Sequence, residues 1–264
     1  MKRLVTVVLA LVLALSLFGC GEKKDDSKIT VACSPAPHAE ILEVAAEILK
    51  EDGITLDIQT YEDYVIPNNI VEDGTVDANF FQHVPYLNDF NAENGTHLVS
   101  VAGSHVEPMA LYGGKCDSLD AIPDGAQIAV PNDATNEARA LLLLEVNGLI
   151  KLDPEAGIGA TKNDIIENPH NIDIVEMEAA QLPNVLQDVE YAVINSNYAI
   201  AAGMNPVEEG LVIEDSESEY VNVLVVKEGN ENSEKIQALV KALQSDAVRD
   251  FINSEYNGSC VPVF

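Results

Sequence analysis

At 264 residues, with 47% hydrophobic and 22% charged content, the chain is long enough for two modest α/β domains and too apolar to be disordered. Forty-four acidic residues against fourteen basic ones give a net charge of −30, which excludes nucleic acid as a partner, because phosphates would be repelled over most of the surface.

The chain opens on a leader. Lys2 and Arg3 form a basic patch, and residues 4–18 form an apolar run shorter than the roughly 20 residues a membrane-spanning helix needs. The run ends in Leu17-Phe18-Gly19-Cys20, followed by a polar stretch over 21–27. This resembles a bacterial lipobox, so residues 1–19 read as a signal peptide, Cys20 as the lipidated N-terminus and 20–27 as a short tether. Cys33, Cys116 and Cys260 remain, so at most one disulfide can form, and their spacings match no zinc pattern.

From Lys28 onward, short β-branched runs alternate with amphipathic segments. Residues 29–33 read as a buried strand, 34–38 as a turn, and 39–50 as a helix with Ile41, Leu42, Ala45, Ile48 and Leu49 at helical spacing. Strands follow over 54–60, 76–81 and 98–106, with helices over 67–72 and 85–93 between them. Residues 108–112 read as an extended connector. A strand from Gln127 to Pro131 then leads through a turn into a helix starting near Asp133. Beyond it the pattern predicts a helix over 160–167, a strand over 172–177, a helix over 181–187, a strand over 191–194 and a helix over 197–202. A strand over 220–226 and one long closing helix over 233–253, with Ser233 as its N-cap, complete the chain. Repeated β-α-β units imply parallel pairing in sheets covered on both faces. The order reads as two α/β units, the second inserted in the first, with crossings near 105–114 and 215–224. Ligands of such sheets bind beyond the carboxyl ends of the strands, here in a cleft between the units.

Catalytic signatures are missing: the sequence contains no Gly-x-Ser-x-Gly elbow, no phosphate-binding loop of the Walker type and no Gly-x-Gly-x-x-Gly. Cys33 with His38 could form a nucleophile and base, but a cysteine inside an apolar strand is more often inert core. The five histidines form no close pair at helical spacing, so no metal site and no cofactor are expected. Apart from Arg3 and Arg249, Arg139 is the sole arginine, and it sits near the N-terminal end of its helix, where the helix dipole disfavours a cation. Either it joins that N-terminus in holding an anion, or it pairs on the surface with Glu137 or Asp133. Polar and aromatic residues cluster at strand ends: Tyr64, Phe81, His83 and Tyr86 in the first unit, Asn195 and Asn222 further on. Taken singly, Asn79, His38 and Tyr86 fit capping or core roles. As a set the residues read as a binding cleft.

Several of these stretches resemble the methionine-binding lipoprotein (NlpA) family, the substrate-binding components of bacterial methionine importers. The resemblance is carried by Pro37-His38-Ala39-Glu40-Ile41, Asp63-Tyr64-Val65-Ile66-Pro67-Asn68, the run from Asp77 to Leu87, the run from Val130 to Leu144, Glu178-Ala179-Ala180-Gln181-Leu182-Pro183, Ala192-Val193-Ile194-Asn195 and Tyr220-Val221-Asn222. It implies an α/β, two-lobed periplasmic-binding-protein fold of type II, with residues 28–108 and 219–264 in one lobe and 109–218 in the other. It also implies a non-enzymatic, monomeric lipoprotein on the extracytoplasmic face of the cell membrane, which hands L- or D-methionine to a permease and its ATPase. Arg139 would clamp the ligand carboxylate, Asn195 and Asn222 would hold its amino and carboxylate groups, and Tyr64, Phe81, His83 and Tyr86 would wall the side-chain pocket. A methionine-containing dipeptide, another sulfur compound, or a surface lipoprotein with an interaction role are the alternatives.

Overall fold

The structure, a computed structural model, describes residues 27–215 and 219–264, so the leader and Cys20 lie outside the described residues. Strand β1 (Lys28–Cys33) shows why the first sheet is parallel: Ile29, Val31, Ala32 and Cys33 are all fully buried, so both faces of the strand are covered. It lies between β2 (Thr55–Thr60) and β3 (Ala78–His83), parallel to both. Helix α1 (Glu40–Glu51) links β1 to β2 and buries Ile41, Leu42, Ala45 and Leu49 along one stripe. The short α2 (Ile66–Glu72) precedes β3, and α3 (Val84–Asn94) follows it directly. Strand β4 (Leu98–Val106) then ends the first run of this unit.

After three linking residues the chain is in a second sheet, as β5 (Ala110–Gly113). The expected connector is therefore a strand. Its Ala110, Leu111 and Tyr112 are buried because it pairs on both sides, with β10 (Tyr191–Ile194) and β11 (Val212–Ile213). Strands β6 (Gln127–Pro131) and β9 (Asp173–Met177) complete that sheet in the order β11-β5-β10-β6-β9. Helix α4 (Ala134–Val146) covers it with Ala138, Leu141 and Leu144. The helix expected over 160–167 is instead a single tight turn, Lys162–Asp164, boxed by Thr161, running into β8 (Ile165–Glu167), which pairs with β7 (Lys151–Leu152). Short helices α5 (Leu182–Val185), α6 (Ser196–Ala201) and α7 (Pro206–Glu209) fill the remaining connections.

The chain returns to the first sheet as β12 (Val221–Lys227), wedged antiparallel between β3 and β4, and closes with β13 (Val261–Pro262) on β4. The first sheet is ordered β13-β4-β12-β3-β1-β2. In both sheets the first parallel strand is flanked by the second and third, and an antiparallel strand sits beside the third. The expected single closing helix is two, α8 (Glu234–Leu243) and α9 (Asp246–Tyr256). Ser245 separates them because its hydroxyl caps α9 by accepting the Val248 N–H at 3.3 Å. Ser233 occupies the N-cap of α8 without a capping bond from its side chain. The two crossings between the sheets are bonded to each other: Glu214 N–H donates to the Met109 carbonyl at 2.8 Å, and the Met109 N–H donates to the Glu214 carboxylate at 3.2 Å. Among the described residues the cysteines Cys33, Cys116 and Cys260 are unpaired thiols.

Candidate ligand site

Strand ends of both sheets converge on one narrow cavity. Tyr64, Phe81, His83, Tyr86, Arg139, Asn195 and Asn222, the seven residues expected to form a ligand site, all line it. Gln82, Glu107, Asn136, Ser196 and Asn197 line it too and were not assigned from sequence. Asn197 carried a signal that could have found it, since it shares the β10 strand end with Asn195. Glu107 lies in a crossing, where no periodicity marks it.

One wall is aromatic. The Tyr64 and Phe81 rings lie 5.7 Å apart, Tyr64 and Tyr86 also 5.7 Å, and Tyr198 adds a ring 5.1 Å from Tyr64. Hydrogen bonds fix these rings: across the cleft Tyr64 donates to Asn197 Oδ1 at 2.7 Å and Tyr198 to the Glu62 carbonyl at 2.8 Å, and within the first unit Tyr86 donates to the Tyr64 carbonyl at 3.1 Å. Tyr86, which taken singly fits a core role, thus belongs to the wall. Asn79 keeps its core role: in the fully buried β3 it shares a closed amide network with Asn68 and Gln82.

Arg139 is 4% exposed, in the second turn of α4. It pairs with neither Glu137 nor Asp133. Its Nε donates to Glu214 at 3.0 Å, and its Nη2 donates to Glu214 and, at 2.8 Å, to the Glu107 carbonyl. The guanidinium therefore ties together both crossings, and it stacks 4.3 Å from the Tyr220 ring centroid. Nε and Nη2 are committed to these partners, and Nη1 carries two further N–H donors. The α4 N-terminus does not share the task expected of it. Asp133 caps it by accepting the Asn136 N–H at 3.0 Å, so the helix end already faces a carboxylate.

His83 ends β3 and caps α3, where its Nδ1 accepts the Tyr86 N–H at 3.1 Å. Its Nε2 meets Asn136 Oδ1 at 3.1 Å. Burial, with the Arg139 charge adding to it, pushes the imidazole down to about 3, so the ring is neutral at physiological pH. Asn136 Oδ1 also accepts from Asn195 Nδ2 at 2.9 Å, while Asn195 Oδ1 is buried without a partner. Asn222 occupies β12 opposite His83 on β3 and His105 on β4, at a bulge that re-aims the strand. This position accounts for an asparagine within a β-branched strand: its Oδ1 meets His38 Nε2 at 3.0 Å.

His38, His105 and Glu107 form the one metal-ligating trio found among the described residues. His105 Nε2 lies 2.8 Å and His38 Nε2 3.2 Å from Glu107 Oε1. Tetrahedral ligands around a zinc ion with bonds of about 2.1 Å stand roughly 3.4 Å apart, so the shorter contact has hydrogen-bond geometry. Burial opposes the Glu107 charge, but His38, the His105 hydrogen bond and Arg139 together hold the carboxyl below its ordinary range. Burial also pushes the His38 imidazole down to about 4 and the Cys33 thiol up to about 12, which leaves Cys33 an inert core residue.

The NlpA lipoprotein family model matches residues 29–264. The chain belongs to the NlpA lipoprotein family. It is 43% identical over 256 residues to the D-methionine-binding lipoprotein MetQ of Escherichia coli K12, covering 96% of this chain and 94% of that one. Among solved structures, a nutrient-binding protein from Burkholderia cenocepacia bound to methionine matches with a TM-score of 0.87 at 42% identity, covering 89% of this chain and all of that one. Lipoprotein Tp32 of Treponema pallidum matches with the same TM-score at 43% identity, over 90% of this chain and all of that one. Family members share the two-lobed periplasmic-binding fold that the paired sheets build here.

Proposed function

We propose that this NlpA family member captures methionine between its lobes and delivers it to the permease and ATPase of an importer. In this reading residues 1–19 are a signal peptide, Cys20 carries a lipid, 20–27 tether a monomer to the extracytoplasmic face of the membrane, and the lobes comprise 28–108 with 219–264 and 109–218. One observation carries the ligand assignment: a buried guanidinium and a buried, unpartnered amide oxygen line one cavity beside an aromatic wall. The first suits a carboxylate, the second an ammonium, and the third a polarizable thioether. Because Glu214 already occupies the fork of Arg139, the ligand carboxylate is met by Nη1, with Asn222 as a second donor.

Relatives support this reading, since the Escherichia coli protein is named for D-methionine and the Burkholderia cenocepacia structure holds methionine. Native mass spectrometry of the protein as purified is expected to show a fraction carrying one added methionine mass, lost on collisional activation. A retained dipeptide or other compound would displace the methionine assignment.

A further inference from the structure

Two of the asparagines lining the cavity, Asn195 and Asn222, could each present either end of the amide, yet the surrounding bonds allow one orientation apiece. Consider Asn195 first. The Tyr86 backbone N–H can only donate, so His83 Nδ1, 3.1 Å away, is bare, and the neutral ring carries its proton on Nε2. That N–H faces Asn136 at 3.1 Å, so Asn136 must turn its oxygen to His83. The opposite end of the Asn136 amide then meets both Asp133 oxygens, at 2.9 and 3.0 Å, which agrees with an NH2 there. The same Asn136 oxygen takes the Asn195 NH2 at 2.9 Å. Asn195 is left with its carbonyl oxygen, buried and without a partner, on the cavity side.

The opposite end is settled by Glu107. Its Oε1 accepts from His105 Nε2 at 2.8 Å, so that nitrogen carries a proton; it also lies 3.2 Å from His38 Nε2, where a bare ring lone pair would face the carboxylate, so a proton is favoured on His38 Nε2 as well. His38 Nδ1 is buried without a partner, which agrees: a proton there would be an unsatisfied donor, costing about 1–3 kcal/mol. His38 Nε2 therefore donates to Asn222 at 3.0 Å, Asn222 turns its oxygen away from the cavity, and its NH2 is the end left for the ligand.

We propose that His83, together with Asp133 acting through Asn136, and His38 are positioning residues that set the two amides to opposite polarities, so that Asn195 presents an acceptor to an ammonium and Asn222 a donor to a carboxylate. This rests on the amino-acid-binding reading above and adds to it a fixed direction for the zwitterion. His83, with both ring nitrogens committed, shows the ligand only carbon edges. Selectivity for a free amino acid over ligands lacking one charged end is thus divided between these positioning residues, none of which needs to bond the ligand.

The test is a calorimetric comparison of methionine with methioninamide, which lacks the carboxylate, and with 4-(methylthio)butanoate, which lacks the ammonium. Wild type should prefer methionine over both. His83→Phe combined with Asp133→Ala, which together free the Asn136 amide to turn, should lower the preference over 4-(methylthio)butanoate at least tenfold and leave the preference over methioninamide within about twofold. His38→Phe should do the reverse. Glutamine at either position keeps an N–H near Nε2 and should restore most of the lost preference. A merely structural role would weaken all three ligands together, and that outcome, or preferences unchanged in both phenylalanine variants, overturns the proposal. Should either phenylalanine variant fail to fold, nitrogen-15 spectra of the wild-type histidines decide the matter. Neutral rings with Nε2–H on both His38 and His83 are expected, and an Nδ1–H ring on either one overturns it. If wild type binds no methionine, the functional reading fails, while the spectra still judge the polarity of the site.

Discussion

Arg139→Ala is expected to weaken methionine binding by roughly a hundred- to several thousand-fold and to lower the melting temperature of the unliganded protein. Removing one member of a buried charge pair costs about 3–5 kcal/mol, because the partner is left unpaired in a medium that solvates it poorly. Arg139 has two such partners in prospect. The ligand carboxylate would lose Nη1, and Glu214, 18% exposed, loses its bidentate partner whether or not ligand is present. The loss should therefore appear in two separate readouts, the calorimetric dissociation constant and the thermal midpoint. Arg139→Lys keeps the charge and loses the fork, so it should fall between alanine and wild type in both. Wild-type affinity in Arg139→Ala would remove the arginine from the site; an unchanged melting temperature would mean that its bond to Glu214 contributes nothing.

Acidification should cost the protein several kcal/mol of stability between pH 6.5 and pH 4, well before the bulk of its carboxylates protonate. His38 and His83 are buried and neutral, with pKa values pushed to about 4 and about 3 from an ordinary 6.5. In that window the unfolded chain takes up protons that the folded one refuses, so stability falls as pH falls. It is fully present above pH 6.5 and lost as pH drops toward the folded-state values. Each histidine contributes a loss of roughly 3 kcal/mol by pH 4. Glu107, held below the ordinary carboxyl range, adds a loss of the same sign at lower pH. Urea unfolding midpoints at pH 7 and pH 4 measure the sum, and His83→Gln should flatten the slope between them. Equal midpoints would mean that these rings are not held neutral by burial.

Much of the architecture was legible because it rests on local chemistry. Strands buried on both faces read as continuous β-branched runs, as in Ile29–Cys33, and α1 reads as a helix because its apolar residues recur on one stripe. The errors fall where local chemistry is shared between outcomes. Residues 110–113 suit a connector or a strand equally, and only the partners β10 and β11 decide. The apolar period continues through residues 233–253, so the break at Ser245 is visible as a cap and not as a change of period. The site was legible as a set of residues and not as a set of bonds. Glu214 stands 75 positions from Arg139, in a crossing whose path no pattern specifies. Asp133 has the residue type of a helix cap, and that role removes the open helix end expected to share the anion. The acceptor left on Asn195 follows from a chain of bonds through His83 and Asn136, three residues that are distant in sequence and joined only by the fold.

Calorimetric titration of the ligand-stripped wild-type protein with L- and D-methionine tests the central claim most directly. One site per chain is expected for at least one enantiomer, with a negative heat-capacity change from burying the thioether and aromatic surface. No saturable heat from either enantiomer at millimolar ligand would contradict the account.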